Sequence, residues 1–118
     1  MPDKPRVEAD SSKDTSIDMA VTTPHVVASR VWVKPPNGKW SVVHDGEFRY
    51  REPDDFTLPP QPDGTLLHYW LGVGGNANEQ FTVVVSFRQE GALPGGTHIS
   101  RGTLDTHGKR FVDEEVEL

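Results

Sequence analysis

From Ile17 to the end of the chain, apolar and polar side chains alternate in short runs, and this alternation limits the fold more than any other feature of the sequence. Successive side chains of a β-strand point to opposite faces, so such a run predicts a strand with one buried face. Val, Ile and Thr make up 25 of the 118 residues, and their branched side chains suit a pleated surface. The strongest strand is predicted between Glu79 and Glu90, with four apolar side chains in one phase: Phe81, Val83, Val85 and Phe87.

The 11 Gly and 10 Pro residues divide the chain into about eight such runs. Tight turns are predicted at residues 35–38 (Pro-Pro-Asn-Gly) and 45–46 (Asp-Gly), which would make the segment from His25 to Arg51 a three-stranded meander. The proline-rich residues 53–64 are expected to cross from one sheet to another, because proline lacks the backbone donor of a central strand. Residues 97–104 and 109–118 are expected to form a closing hairpin.

No segment has helical periodicity of useful length, so the sequence predicts an all-β fold. The expected architecture is a two-sheet antiparallel β-sandwich over residues 17–118, similar to immunoglobulin or fibronectin domains and with about seven to eight strands. A small barrel is the alternative.

Residues 1–16 differ from the rest of the chain in composition. After Met1 their only apolar side chains are Val7 and Ala9, which stand among charged residues and two prolines. Such a segment buries too little surface to offset the entropy of ordering it. We therefore expect a disordered N-terminal tail or linker; a docking peptide is the alternative.

The overall charge and the absence of cysteine exclude several classes of partner and site. A net charge of −6, with basic residues scattered singly, argues against nucleic acid and anionic membranes as partners. Without cysteine the chain forms no disulfide, zinc–thiolate site or thiol nucleophile. This favours a cytoplasmic location, and secretion with removal of a leader stays open. The oligomeric state is left open.

The polar residues do not form a recognisable catalytic or metal-binding motif. The five histidines are isolated from one another, and no nucleophile-elbow or metal-ligand spacing occurs. Four carboxylates surround the proline-rich connection, but they lack the alternating spacing of a calcium loop and are better explained as a solvated loop. The sequence therefore predicts a protein that is not an enzyme and uses no metal or cofactor.

A glycine-rich segment, residues 71–75 (Leu-Gly-Val-Gly-Gly), lies where a strand predicted over residues 65–73 is followed by a loop predicted over residues 74–78. Together with the residues up to Phe81 it resembles one loop of the chagasin-like cysteine-protease inhibitors, which are cysteine-free immunoglobulin-like sandwiches of similar length. The Asn-Pro-Thr-Thr-Gly and Arg-Pro-Trp loops of that family do not occur in this chain. The resemblance implies, as one alternative function, a protease inhibitor that presents a loop at residues 72–75.

The tryptophans supply the main functional hypothesis. Trp32 is out of phase with the valines around it, and Trp70 is out of phase with Tyr69 and Leu71. Either both rings face solvent on one sheet, or the phase is inverted and both lie in the core. Exposed rings suit contact with a protein or a sugar. We therefore predict a non-catalytic binding module, with protein or carbohydrate as partner; in the carbohydrate alternative the tryptophans act with His68 and with Asn76 or Asn78.

Overall fold

The computed structural model describes residues 5–118, and these residues contain no helix, hence none that could cross a membrane. They contain eight strands, as the alternation predicts: β1 (Thr15–Val21), β2 (Val26–Lys34), β3 (Ser41–Arg49), β4 (Asp54–Leu58), β5 (Leu66–Gly74), β6 (Gln80–Arg88), β7 (Ala92–Thr103) and β8 (Lys109–Glu117).

The strands form two four-stranded antiparallel sheets. The front sheet has the order β3-β2-β5-β8 and the back sheet the order β4-β1-β6-β7. The predicted all-β antiparallel sandwich is thus confirmed. Each sheet turns one face inward, and the predicted phase is correct for the strands that carry most of the core. Val27, Val31 and Val33 of β2 are buried, as are four side chains of β6: Phe81, Val83, Val85 and Phe87.

The predicted turn at Asp45-Gly46 is wrong, and with it the three-stranded meander. β3 runs without interruption from Ser41 to Arg49 and pairs along its length with β2, apart from a bulge beside Trp32. Glycine at this position has a different explanation. A Cβ on Gly46 would lie 2.5 Å from Asp54 Oδ2 and 2.9 Å from His44 Nε2, so Gly46 marks a close approach inside a strand.

The proline-rich connection crosses between the sheets as predicted, because β3 and β5 belong to the front sheet and β4 to the back sheet. It contributes β4 as an edge strand, and Leu58 is buried in the core. The predicted closing hairpin does not form. β7 pairs with β6 and β8 pairs with β5, so the connection between β7 and β8 also passes from one sheet to the other.

The N-terminal tail is predicted over residues 1–16, of which residues 1–4 lie outside the described part. Within it, Val7 is fully buried in the core, and its N–H donates to the carbonyl of Glu117 at 2.8 Å. Gly95 adopts a positive φ of 71°, and a Cβ there would collide with the carbonyl of Arg6. One apolar side chain and a close backbone contact thus connect this segment to the sandwich.

Candidate functional site

The outward surface of the front sheet carries a group of five ring side chains that we call the aromatic face: Trp32, Trp40, His68, Trp70 and Phe111. The neighbouring Val31, Val33, Tyr69 and Leu71 are buried. Of the two orientations left open by the sequence, the structure therefore has the one with valines inside and Trp32 and Trp70 outside. Both tryptophans are partly exposed, and Phe111 is 65% exposed.

Trp70 lies over a glycine. A Cβ built on Gly72 would be 2.7 Å from Cη2 of the Trp70 ring, so the ring occupies the space that a side chain on Gly72 would need. Phe111 lies opposite Gly72 on β8, and its ring centroid is 5.5 Å from that of Trp70 with a tilt of only 31°. The two rings thus form a shallow, continuous apolar platform across β5 and β8.

Polar groups stand on either side of this platform. Arg30 lies opposite Trp70 on β2, and Asp113 lies opposite it on β8. Arg30 donates to both carboxylate oxygens of Asp45, at 2.6 and 3.2 Å. The hydrogen bond and the negative charge of Asp45 raise the pKa of Arg30. Asp113 pairs with Nε2 of His68. Trp70 therefore lies within a row that offers both donors and acceptors to a ligand.

A second group of rings borders the platform. His68 lies opposite Trp32 in the sheet; their ring centroids are 5.3 Å apart, with an interplanar angle of 69°. Trp40, which precedes β3, lies 6.2 Å from His68 at 81°. These three rings line a shallow cavity of about 230 Å³.

The structure does not bring all the predicted site residues together. Trp32, His68 and Trp70 share the aromatic face. Asn76 and Asn78 lie in the loop that follows the far end of β5 from His68, where the Asn76 N–H bonds Glu79 and the Asn78 N–H bonds Asp105.

The strand predicted over residues 65–73 is observed as β5, which extends one residue further. Gly72 and Gly74 are strand residues that pair with β2 and β8, and only Gly75 of the segment at residues 72–75 lies beyond β5. The protease-inhibitor alternative, which presents residues 72–75, stays a prediction.

Sequence reasoning did not select Trp40, Phe111 or Gly72 as site residues. Trp40 lies outside the strands, so alternation says nothing about its direction. Phe111 joins the face only because β8 pairs with β5. Gly72 could have been recognised from its position within a predicted strand, where glycine often marks the close approach of another group to the backbone.

Within residues 5–118, no three His, Asp or Glu side chains come together as metal ligands. One His–Asp pair outside the aromatic face joins the two sheets: His44 Nε2 is 2.7 Å from Asp54 Oδ2, and the His44 ring stacks on Phe56 at 4.1 Å. We assign this pair a structural role, since it connects β3 to β4 at the edge of the sandwich.

Comparison of the chain with protein-family models, curated protein sequences and solved structures found no match. The geometry of the aromatic face is therefore what indicates a function.

Proposed function

We propose that this chain is a non-catalytic binding domain whose aromatic face binds carbohydrate. The observation that carries the proposal is the seating of Trp70 over Gly72, beside Phe111 and between Arg30 and Asp113. A pyranose ring has an apolar C–H face and a rim of hydroxyl groups that both donate and accept hydrogen bonds. The platform offers a large ring surface at low entropy cost, and the flanking residues offer a donor and acceptors.

Charge favours a neutral sugar over an acidic one. The guanidinium of Arg30 is already paired with Asp45 through two hydrogen bonds. Asp113 and Glu115 add negative charge beside the platform, and the chain as a whole carries −6. An anionic polysaccharide would therefore be repelled. The immunoglobulin-like character and the cytoplasmic location expected from the sequence remain parts of this proposal.

The test uses two glycine variants on the same strand and the same face. Gly72→Ala places a Cβ against the Trp70 ring, whereas Gly74→Ala has only the Val26 carbonyl oxygen near its Cβ, at 4.0 Å. The wild-type protein is titrated with hexasaccharides of neutral glucan, xylan, mannan and chitin type, and tryptophan fluorescence is recorded. We expect at least one probe to bind. Gly72→Ala and Trp70→Ala should then weaken binding by about tenfold or more, as for an anchoring aromatic residue.

Gly74→Ala should bind as the wild type does. A circular dichroism melt of each variant shows whether the fold is retained; the Trp70 ring can move aside, so we expect little change for Gly72→Ala. Failure of every neutral probe to bind, or wild-type affinity in Trp70→Ala, would overturn the carbohydrate proposal. A protein partner would then become the better explanation of the exposed rings.

A further inference from the structure

The three rings next to the platform differ from it in shape. The rings of Trp70 and Phe111 are tilted by only 31° to each other and form a nearly flat surface, whereas the His68 ring makes angles of 69° with Trp32 and 81° with Trp40. Rings at such angles do not form one flat surface, and these three line a shallow cavity. The cavity they line, about 230 Å³, is smaller than the roughly 300–1,000 Å³ of a typical ligand pocket. It suits one compact group and not an extended molecule.

The rings of Trp32, Trp40 and His68 are positioned by the sheet and by hydrogen bonding. Trp32 and His68 occupy paired positions on β2 and β5, in a ladder that has no register shift. His68 is fixed through its Nε2, which pairs with Asp113. Trp40 is placed by the turn at residues 35–38, which the Gly38 N–H closes on the Pro35 carbonyl at 2.9 Å.

The electrostatics of this cavity favour a cation. Aromatic ring faces carry negative potential and attract an ammonium group within about 6 Å of the ring centroid. Trp32 already shows this behaviour, because the guanidinium carbon of Arg30 lies 6.0 Å from its ring centroid. Arg30 is neutralised by Asp45. On the other side, Asp113 contacts His68 and Glu115 lies opposite His68 on β8.

We propose that Trp32, Trp40 and His68 form an aromatic cage that binds a trimethylammonium group. The methyl groups would contact the three rings, and the carboxylates near His68 would add long-range attraction. A primary ammonium fits less well, because its strong hydration is lost in a cavity lined by rings. This site uses different residues from the saccharide platform and goes beyond the function proposed above.

The experiment compares a cation with a neutral molecule of the same shape. The protein is titrated by calorimetry with choline, with a peptide that carries trimethyllysine, and with the neutral tert-butyl analogue of choline, in which carbon replaces the nitrogen. We expect choline or the peptide to bind about tenfold or more tightly than the neutral analogue, since the charge supplies the cation–π attraction. Whichever of choline and the trimethyllysine peptide binds more tightly identifies the source of the ammonium group.

Variants connect that binding to the cage. Trp40→Ala removes an exposed ring of the cage that lies outside the strands, and it should reduce the affinity for choline about tenfold or more. Trp40→Phe should retain part of the affinity, because Phe is a weaker cation–π partner than Trp. Tyr50→Ala removes another exposed ring that lies outside the strands, so it is the matched control and should bind choline as the wild type does.

Equal affinity for choline and its neutral analogue, wild-type affinity in Trp40→Ala, or no binding of either cation would each overturn the cage. None of these results bears on the saccharide platform. Loss of sugar binding in Trp70→Ala with choline binding retained would show that the two sites are separate.

Discussion

Tyr69 shows how a single buried group sets a pH limit on the fold. Its side chain is 1% exposed, and its hydroxyl has no hydrogen-bond partner among the described residues. Burial raises the pKa of this phenol above its ordinary value of 10.0, and the negative charge of Glu114 raises it further. Above about pH 10 the unfolded chain releases a proton that the folded chain retains. The contribution of Tyr69 to stability is therefore complete below the ordinary pKa and is lost as the pH rises through the raised one.

We expect Tyr69→Phe to remove this alkaline loss of stability. The wild-type free energy of unfolding should fall by up to about 1.4 kcal/mol per pH unit above roughly pH 10, whereas the variant should fall less. Near neutral pH the variant should be at least as stable as the wild type, because it no longer buries an unpaired hydroxyl. Urea unfolding at about pH 8 and about pH 11 measures both effects. Tyr50, 41% exposed, supplies the control; equal alkaline losses in Tyr50→Phe and Tyr69→Phe would contradict the prediction.

Two glycines show what sequence reasoning misses at the residue scale. Gly46 and Gly72 both lie inside strands, although Asp45-Gly46 has the composition of a turn. In each case the missing Cβ makes room for another side chain: Asp54 approaches Gly46, and Trp70 approaches Gly72. Such an approach depends on tertiary contacts, so a local pattern cannot separate it from a turn. Alternation predicts that the side chains of Trp32 and Trp70 point away from the core, but only once it is known which set of alternating residues is buried.

Around Val7, the backbone of the N-terminal segment bonds two strands from different sheets. The Val7 N–H donates to the carbonyl of Glu117 at the end of β8, and the Glu8 N–H donates to the carbonyl of Pro94 in β7, at 2.8 and 3.2 Å. The Glu117 N–H donates in turn to the Pro5 carbonyl at 2.9 Å. Val7 itself is 0% exposed. The segment therefore closes the open side of the sandwich between β7 and β8.

We expect Val7→Ala to destabilise the protein by about 2 kcal/mol, from lost burial and the cavity left behind. The change is measured as a loss of the free energy of unfolding in urea. Val26→Ala is the control, because Val26 is 40% exposed on the front sheet and should change stability by no more than roughly 0.5 kcal/mol. If the two variants had the same stability, the N-terminal segment would not belong to the cooperative fold.

For the same elements, the position of a strand in the sequence is easier to predict than the strand with which it pairs. The alternation predicts every strand except β4, although it divides β3 into two, because period and phase are local properties. It cannot tell whether β7 and β8 pair with each other or join different sheets, since a short connection serves both arrangements. Phe111 shows the consequence for the site. It completes the platform with Trp70 only because β8 adds to β5, and this pairing is fixed by contacts far apart in sequence.

For the whole molecule, the sandwich leaves four edge strands: β3 and β8 in the front sheet, and β4 and β7 in the back sheet. An open edge can pair with the edge of another copy, and charged side chains oppose this. β8 is the most acidic of the four, with carboxylates at Asp113, Glu114, Glu115 and Glu117. We infer that these charges keep copies of the chain apart along the edge next to the aromatic face.

Neutralising three of them in the variant Asp113→Asn/Glu115→Gln/Glu117→Gln should therefore increase self-association, measured by sedimentation equilibrium over a range of protein concentrations. The control, Glu8→Gln/Asp63→Asn/Glu90→Gln, changes exposed residues outside the strands and shifts the net charge equally, from −6 to −3. A general loss of repulsion would make both variants associate to the same degree, and that result would contradict a specific role for β8. Association confined to the β8 variant, and absent in the control, is the outcome we expect because only there does a strand edge lose its charge, an edge whose backbone hydrogen-bonds to residues 5–16 only at Glu117.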